Sequence, residues 1–149
     1  MGAINTQLIS CPWLNVTAID LVSRHKKIKQ CDFFALVPNS EYDVIVSSMV
    51  INCVPDAKQR GKMLRLYRSH LRPNGLVFLM LPVLCLYDSK YMTYDKFVDI
   101  VHSIGFEVVA TKKSPKIAFF ALKCAEPLVS NSSKYDPDYS KRNEFNVFI

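Results

Sequence analysis

Two aspartates in this 149-residue chain stand where apolar runs end. Asp20 steps out of "NVTAIDL" (Asn15 to Leu21), which is β-branched and apolar, and Asp32 lies near the end of a shorter run from Ile28 to Phe34. A buried strand that finishes in a carboxylate puts a hydrogen-bond acceptor at the edge of a sheet, facing whatever lies beyond the strand tips. The plainer reading is local: Asp20 caps a turn before "SRHKK", and Asp32 is a turn residue beside a core Phe33. Other chemistry-bearing residues form no constellation. His25, His70 and His102 are scattered, so none is assigned a catalytic role. The five cysteines, Cys11, Cys31, Cys53, Cys85 and Cys124, are widely spaced, with no CxxC and no histidine at zinc-ligand spacing. They point to a reduced intracellular compartment and to small core residues, with no metal centre.

The elements that must hold these residues alternate between strand and helix. "YDVIVSSM" (Tyr42 to Met49) reads as a strand covered on both faces, as in a parallel sheet, because Val44, Ile45 and Val46 follow one another. Asp56 caps a helix running to about Leu71, with Leu64, Tyr67 and Leu71 on one side, and "RPNG" forbids its continuation. "LVFLML" (Leu76 to Leu81) is another buried strand. In "YDKFVDIVHSIGF" the spacing of Phe97, Ile100, Val101 and Ile104 predicts a helix ending at Gly105. "FEVVAT" and "KIAFFALK", joined through "KKSP", predict an antiparallel pair that closes the sheet. The order is that of an α/β doubly wound sheet, whose ligands bind beyond the carboxyl ends of the strands. Asp20, Asp32 and the segment after Met49 all fall at that edge. Residues 1–125 form the expected core, and residues 126–149 a polar tail pinned by Phe145 to Ile149.

Composition narrows the class. Half of the residues are hydrophobic and 21% are charged, enough for one domain with a real core. The longest apolar run, "GLVFLMLPVLCL", is broken by Pro82 and falls short of the roughly 20 residues that span a bilayer, so no membrane partner is expected. A net charge of +6 favours a polyanionic partner, nucleic acid first, with cations in "SRHKKIK", between Lys58 and Arg72, and in "TKKSPK". Solvated helix faces and turns account equally well for any one of these clusters.

Taken in order, "IDL", "QCDF", "YDVIVSSMVINCVPD", "LRPNGLVFLMLP", a helix and a closing strand pair resemble a class I S-adenosylmethionine-dependent methyltransferase. More narrowly, "VINCVPD", "RGKML" and "SKYM" are similar to the fungal nucleolar methyltransferases that modify N(1) of an adenine in large-subunit rRNA. The resemblance covers Gly2 to about Lys123. It implies a Rossmann-like, mostly parallel sheet with an antiparallel last strand, S-adenosylmethionine as cofactor, rRNA as partner, and work in the nucleus and nucleolus. It also implies roles for single residues. Asp20 would accept hydrogen bonds from the cofactor's ribose diol, and Asp32 one from the exocyclic amine of its adenine, with Phe33 packing near the ring. Gly2 would let the backbone approach the cofactor. The segment from Ser47 to Asn52 would lie under the transferred methyl group, with Asn52 offering a donor and an acceptor to a base edge. Asn52 also suits a plain turn before Val54 and Pro55.

Members of that family carry a long N-terminal region and a first strand ending in an acidic-x-Gly motif. Here "GAINT" (Gly2 to Thr6) matches that motif only from the glycine onward. The expectation is therefore a sheet lacking its first strand. Two other classes compete with the enzyme. A catalytically inactive relative would bind S-adenosylmethionine as a sensor or partner-binding module. A nicotinamide-dependent dehydrogenase is disfavoured, since the chain has no GxGxxG.

Overall fold

Backbone partners decide where the first strands form. A computed structural model describes residues 6–125 and 140–149, and the chain divides into two compact units, Met1–Val37 and Pro38–Ile149. In the first unit β1 (Ile19–Asp20) and β2 (Lys29–Gln30) run parallel, with Ile19 opposite Lys29 and Asp20 opposite Gln30. Both are shorter than the runs Asn15 to Leu21 and Ile28 to Phe34 suggest. A strand persists only where its N–H and C=O groups find a ladder, and Asn15 and Thr17 lie exposed, outside the paired residues. After β2 the backbone turns at once into a single 3₁₀ turn, Phe33–Ala35.

The second unit holds a four-stranded sheet in the order β3-β4-β6-β5, built from β3 (Tyr42–Ser48), β4 (Leu71–Pro82), β5 (Phe106–Lys113) and β6 (Ile117–Cys124). β3 and β4 are parallel, whereas β6 is antiparallel to both β4 and β5. The architecture is thus α/β with a mixed sheet, parallel early and antiparallel at its close. Among the described residues β3 is an edge strand, paired to β4 alone.

A parallel pair needs a crossover, and α1 (Ala57–His70) supplies it between β3 and β4. The Asp56 carboxylate accepts from the Gln59 N–H at 2.8 Å, satisfying a donor that the first turn would leave orphaned. Gly61, Met63, Leu64, Tyr67 and His70 form its buried face. β4 starts directly at Leu71, earlier than its apolar run suggests. Leu71 lies opposite Tyr42, but the next matched pair is Val44 with Leu76, so the residues between bulge from the ladder, with Asn74 at φ 63°.

The short α2 (Leu84–Tyr87) and then α3 (Tyr94–Ile104) follow. Phe97, Ile100, Val101 and Ile104 are all buried, as their spacing predicts, and Gly105 ends the helix in the left-handed region at φ 97°. Ile45, Ser47, Val77, Leu79, Leu81, Phe120 and Leu122 form the sheet's buried face. On the other face Val44 and Phe78 remain 43% and 41% exposed. This corrects the reading of β3 as a strand covered on both faces: its burial alternates with the pleat.

The C-terminal residues return to this unit. Phe145, Asn146 and Val147 are buried, while Phe148 and Ile149 stay exposed. The rest of the polar stretch, residues 126–139, lies outside the described residues. No helix among the described residues is long and apolar enough to cross a membrane.

Candidate functional site

The first unit brings Asp20 and Asp32 to the same end of its two parallel strands. Asp20 closes β1, its carbonyl accepts from the Cys31 N–H at 2.9 Å, and Asp32 is the next residue. Each carboxylate also builds its own turn. Asp20 Oδ1 accepts from the Val22 N–H at 3.0 Å, and Asp32 Oδ1 accepts from the Phe34 N–H at 2.9 Å. These are the local turns that the plainer reading anticipated. They use one oxygen of each carboxylate; among the described residues the second oxygen of each makes no protein hydrogen bond. Two acceptors at neighbouring strand tips therefore remain for a ligand carrying hydroxyl or amine donors. Phe33 is a buried residue, with its ring tilted against Phe34 at a centroid distance of 6.5 Å. Gly2 lies outside the described residues.

The second unit holds Ser47 and Asn52, and separates their surroundings. Ser47 is fully buried, and its Oγ lies 2.8 Å from the Tyr67 hydroxyl on α1. In a pleated strand the side chain of position 47 points to the helix side, so its hydroxyl serves the core. Burial holds the Tyr67 hydroxyl far above its ordinary pKa, against the lowering effect of the Ser47 bond.

Beyond Ser48 the chain bends sharply. Met49 adopts φ 56°, a left-handed conformation that costs a non-glycine residue about 1–2 kcal/mol. Its N–H still donates to the Met80 carbonyl at 2.9 Å, so the strand tip is held while the side chain is redirected. One 3₁₀ turn, Ile51–Cys53, follows, anchored by a fully buried Ile51. Asn52 sits on that turn. Its Nδ2 lies 3.5 Å from Cys53 Sγ, and its Oδ1 is buried with no hydrogen-bond partner among the described residues. An acceptor in that state costs about 1–3 kcal/mol, which a donor from a bound molecule would recover.

Arg60 was one of the cations that could hold RNA phosphates, yet its guanidinium is already engaged. Nε donates to the Val54 carbonyl at 2.7 Å, Nη2 to the Pro55 carbonyl at 3.1 Å, and Nη1 to the Asn146 carbonyl at 2.7 Å. Burial lowers its pKa, opposed by Cys85 and Asp56 nearby. The signal was present in the sequence, since Arg60 shares a helical stripe with Met63, Leu64 and Tyr67. Nothing in the sequence marked the bend at Met49.

A separate open cavity of about 310 Å³ is lined by Arg65, Arg68 and Ser69 of α1, Ser103 and Ile104 of α3, and the C-terminal Ile149. Asp20, Asp32 and Asn52 do not line it. No set of three or more His, Cys, Asp or Glu side chains among the described residues is arranged to hold a metal ion.

With this geometry in place, the comparisons with known proteins are specific. Residues 1–147 match the model of the family described as 25S rRNA (adenine(2142)-N(1))-methyltransferase, Bmt2. The chain belongs to this family. It is 30% identical over 125 residues to the 25S rRNA (adenine(2142)-N(1))-methyltransferase of Saccharomyces cerevisiae, a match spanning 80% of this chain and 37% of that protein. It is 32% identical over 124 residues to the 25S rRNA adenine-N(1) methyltransferase of Schizosaccharomyces pombe, spanning 79% of this chain and 46% of that protein. The chain therefore spans less than half the length of these curated relatives. Among solved structures, a Burkholderia thailandensis 1,6-didemethyltoxoflavin-N1-methyltransferase, with its bound substrate and S-adenosylhomocysteine, is similar at a TM-score of 0.58 and 15% identity. That match covers 74% of this chain and 61% of the other. The likeness is one of fold.

Proposed function

We propose that this chain is part of an S-adenosylmethionine-dependent methyltransferase that modifies N(1) of an adenine in large-subunit rRNA. The observation that carries the reading is the family match over residues 1–147. The free carboxylate oxygens of Asp20 and Asp32 fit the cofactor's donors, and the orphaned Asn52 Oδ1 fits a base edge. When bound, the cofactor supplies an electrophilic methyl group on a sulfonium.

The chain's own residues then have distinct tasks. Asp20 accepts from the ribose diol, and Asp32 from the exocyclic amine of the cofactor's adenine. Asn52 accepts from the exocyclic amine of the target adenine and orients that base. The neutral lone pair of N(1) is the nucleophile, so no side chain has to remove a proton before transfer, and catalysis rests on positioning an extruded base. Ser47 acts from beneath, through Tyr67, by fixing the strand that carries the loop. Lys62 and Arg65, both exposed on α1, meet RNA phosphates, which would make binding steeply salt-dependent. Methylation of large-subunit rRNA puts this work in the nucleolus.

The test is methyl transfer by the intact protein from labelled S-adenosylmethionine to unmodified large-subunit rRNA, followed by digestion to nucleosides. Label in 1-methyladenosine supports the reading. Cofactor binding without transfer, and without RNA affinity at low salt, would replace it with a sensor.

A further inference from the structure

Residues far apart in the chain meet at one guanidinium. Two of the three carbonyls that Arg60 binds, Val54 and Pro55, end the loop that carries Asn52, and the third, Asn146, lies in the C-terminal segment. The same guanidinium stands over the Phe145 ring, 4.8 Å from its centroid. A planar fork with several fixed N–H directions can serve three carbonyls and one ring face together, whereas an ammonium cannot.

The segment is independently tied down. The Phe148 N–H donates to the Ala57 carbonyl at 3.1 Å, the Lys90 N–H donates to the Asn143 carbonyl at 2.7 Å, and the Ser89 hydroxyl donates to the Phe145 carbonyl. Gly61 has the room this requires: a Cβ there would overlap the Phe148 carbonyl. A glycine in the second turn of a helix costs about 1 kcal/mol relative to alanine. Its presence under Phe148 matches a helix surface shaped for a docked chain.

From this geometry we infer that Arg60 is a positioning residue: it fastens the docked C-terminal segment to the loop after β3, so that the segment sets the place of Asn52. The inference rests on the proposed role of Asn52 at the target base. It assigns to residues 143–149 the part of a strap, and to Arg60 its buckle. Arg60 touches no reacting group itself.

The test uses the intact protein carrying Arg60→Lys, Phe145→Ala, or both, with Val147→Ala as a milder release of the segment should Phe145→Ala fail to fold. Amide hydrogen exchange reads the loop at Cys53 and Val54, whose N–H groups close its turn on Val50 and Ile51. Each single variant is expected to speed exchange there about tenfold while a cooperative melt is kept. In single-turnover and steady-state assays kcat should fall about tenfold, with KM for S-adenosylmethionine within about twofold of wild type. The double variant should be no worse than the poorer single one, because both break one linkage. Unchanged exchange at Cys53 and Val54 after either single change would overturn the inference, as would additive losses or a kcat that falls only in step with the folded fraction. If the wild-type protein transfers no methyl to rRNA, the proposed function fails, and the exchange measurement still decides whether strap and loop are linked.

Discussion

The carboxylate turns of the first unit and the loop after β3 are held in opposite ways. Asp20 and Asp32 are fixed by partners two residues away, the N–H groups of Val22 and Phe34. The loop from Met49 to Asp56 closes its own turn on Val50 and Ile51, but its place is set from a distance, by the Met80 carbonyl across the β3–β4 ladder and by Arg60, which also reaches Asn146 at the other end of the chain. A turn closed by its own side chain forms whenever its few residues do. A loop held by remote partners exists only when the whole unit has folded, so it responds to changes far from it.

Gly61→Ala should break the contrast most strongly. In an exposed helix the change gains up to about 1 kcal/mol. Here the new Cβ overlaps the Phe148 carbonyl and forces the C-terminal segment off α1, exposing Phe145 and Val147. Losing their burial outweighs the propensity gain, for a net destabilisation of about 2–4 kcal/mol. Urea unfolding of the intact protein reads the loss. Exchange at Cys53 and Val54 should rise while Val22 and Phe34 stay as they were. A stabilised protein would mean that the segment does not hold the loop.

A smaller effect lies under β3. Ser47→Ala removes one hydrogen bond of the buried Tyr67 hydroxyl and should cost about 1 kcal/mol. Ser47→Ala combined with Tyr67→Phe removes both ends of the bond and should recover part of that cost in a double-mutant cycle. Strict additivity would mean that the two hydroxyls do not act together.

The mildest test is pH. His70, on the last turn of α1, is buried with its ring tilted against Tyr42, and burial lowers its pKa from the ordinary value of 6.5. The unfolded chain therefore takes up the proton first. The contribution of neutral His70 is fully present above pH 6.5 and is lost as pH falls from there through the lowered folded value. Chemical denaturation between pH 7.5 and 5 should show this decline, and His70→Gln should flatten it.

The same contrast separates what is legible in the sequence from what only the folded chain decides. Asp56 capping α1, the buried Phe97, Ile100, Val101 and Ile104, and the terminal antiparallel pair all rest on patterns a few residues long, and all are found. The placing of Asp20 and Asp32 at one end of two parallel strands was likewise legible, because each carboxylate lies at or near the end of its own short run. The strand lengths in the first unit were not, since they depend on which backbone groups find a ladder. The face that the Ser47 side chain takes was not legible either, because the face of a strand is set by what packs on it, here Tyr67 from α1. The inward stripe of Arg60 with Met63, Leu64 and Tyr67 was legible, but its acceptors were not, because they are backbone carbonyls. The left-handed Met49 carries no glycine or asparagine to announce it.

The central claim is a division of labour, with the carboxylate turns holding the cofactor and the loop after β3 holding the base. It is tested most directly by comparing Asp20→Asn with Asn52→Ala in the intact protein, measuring the Kd for S-adenosylmethionine by calorimetry and the single-turnover rate of methyl transfer to rRNA at saturating cofactor. Asp20→Asn keeps the turn-closing oxygen but removes the charge. It should weaken cofactor binding about five- to tenfold and leave the saturated rate within about threefold. Asn52→Ala should leave Kd unchanged and slow transfer about tenfold or more. If Asn52→Ala weakened cofactor binding, or if Asp20→Asn left Kd untouched in a folded protein, the division would be contradicted.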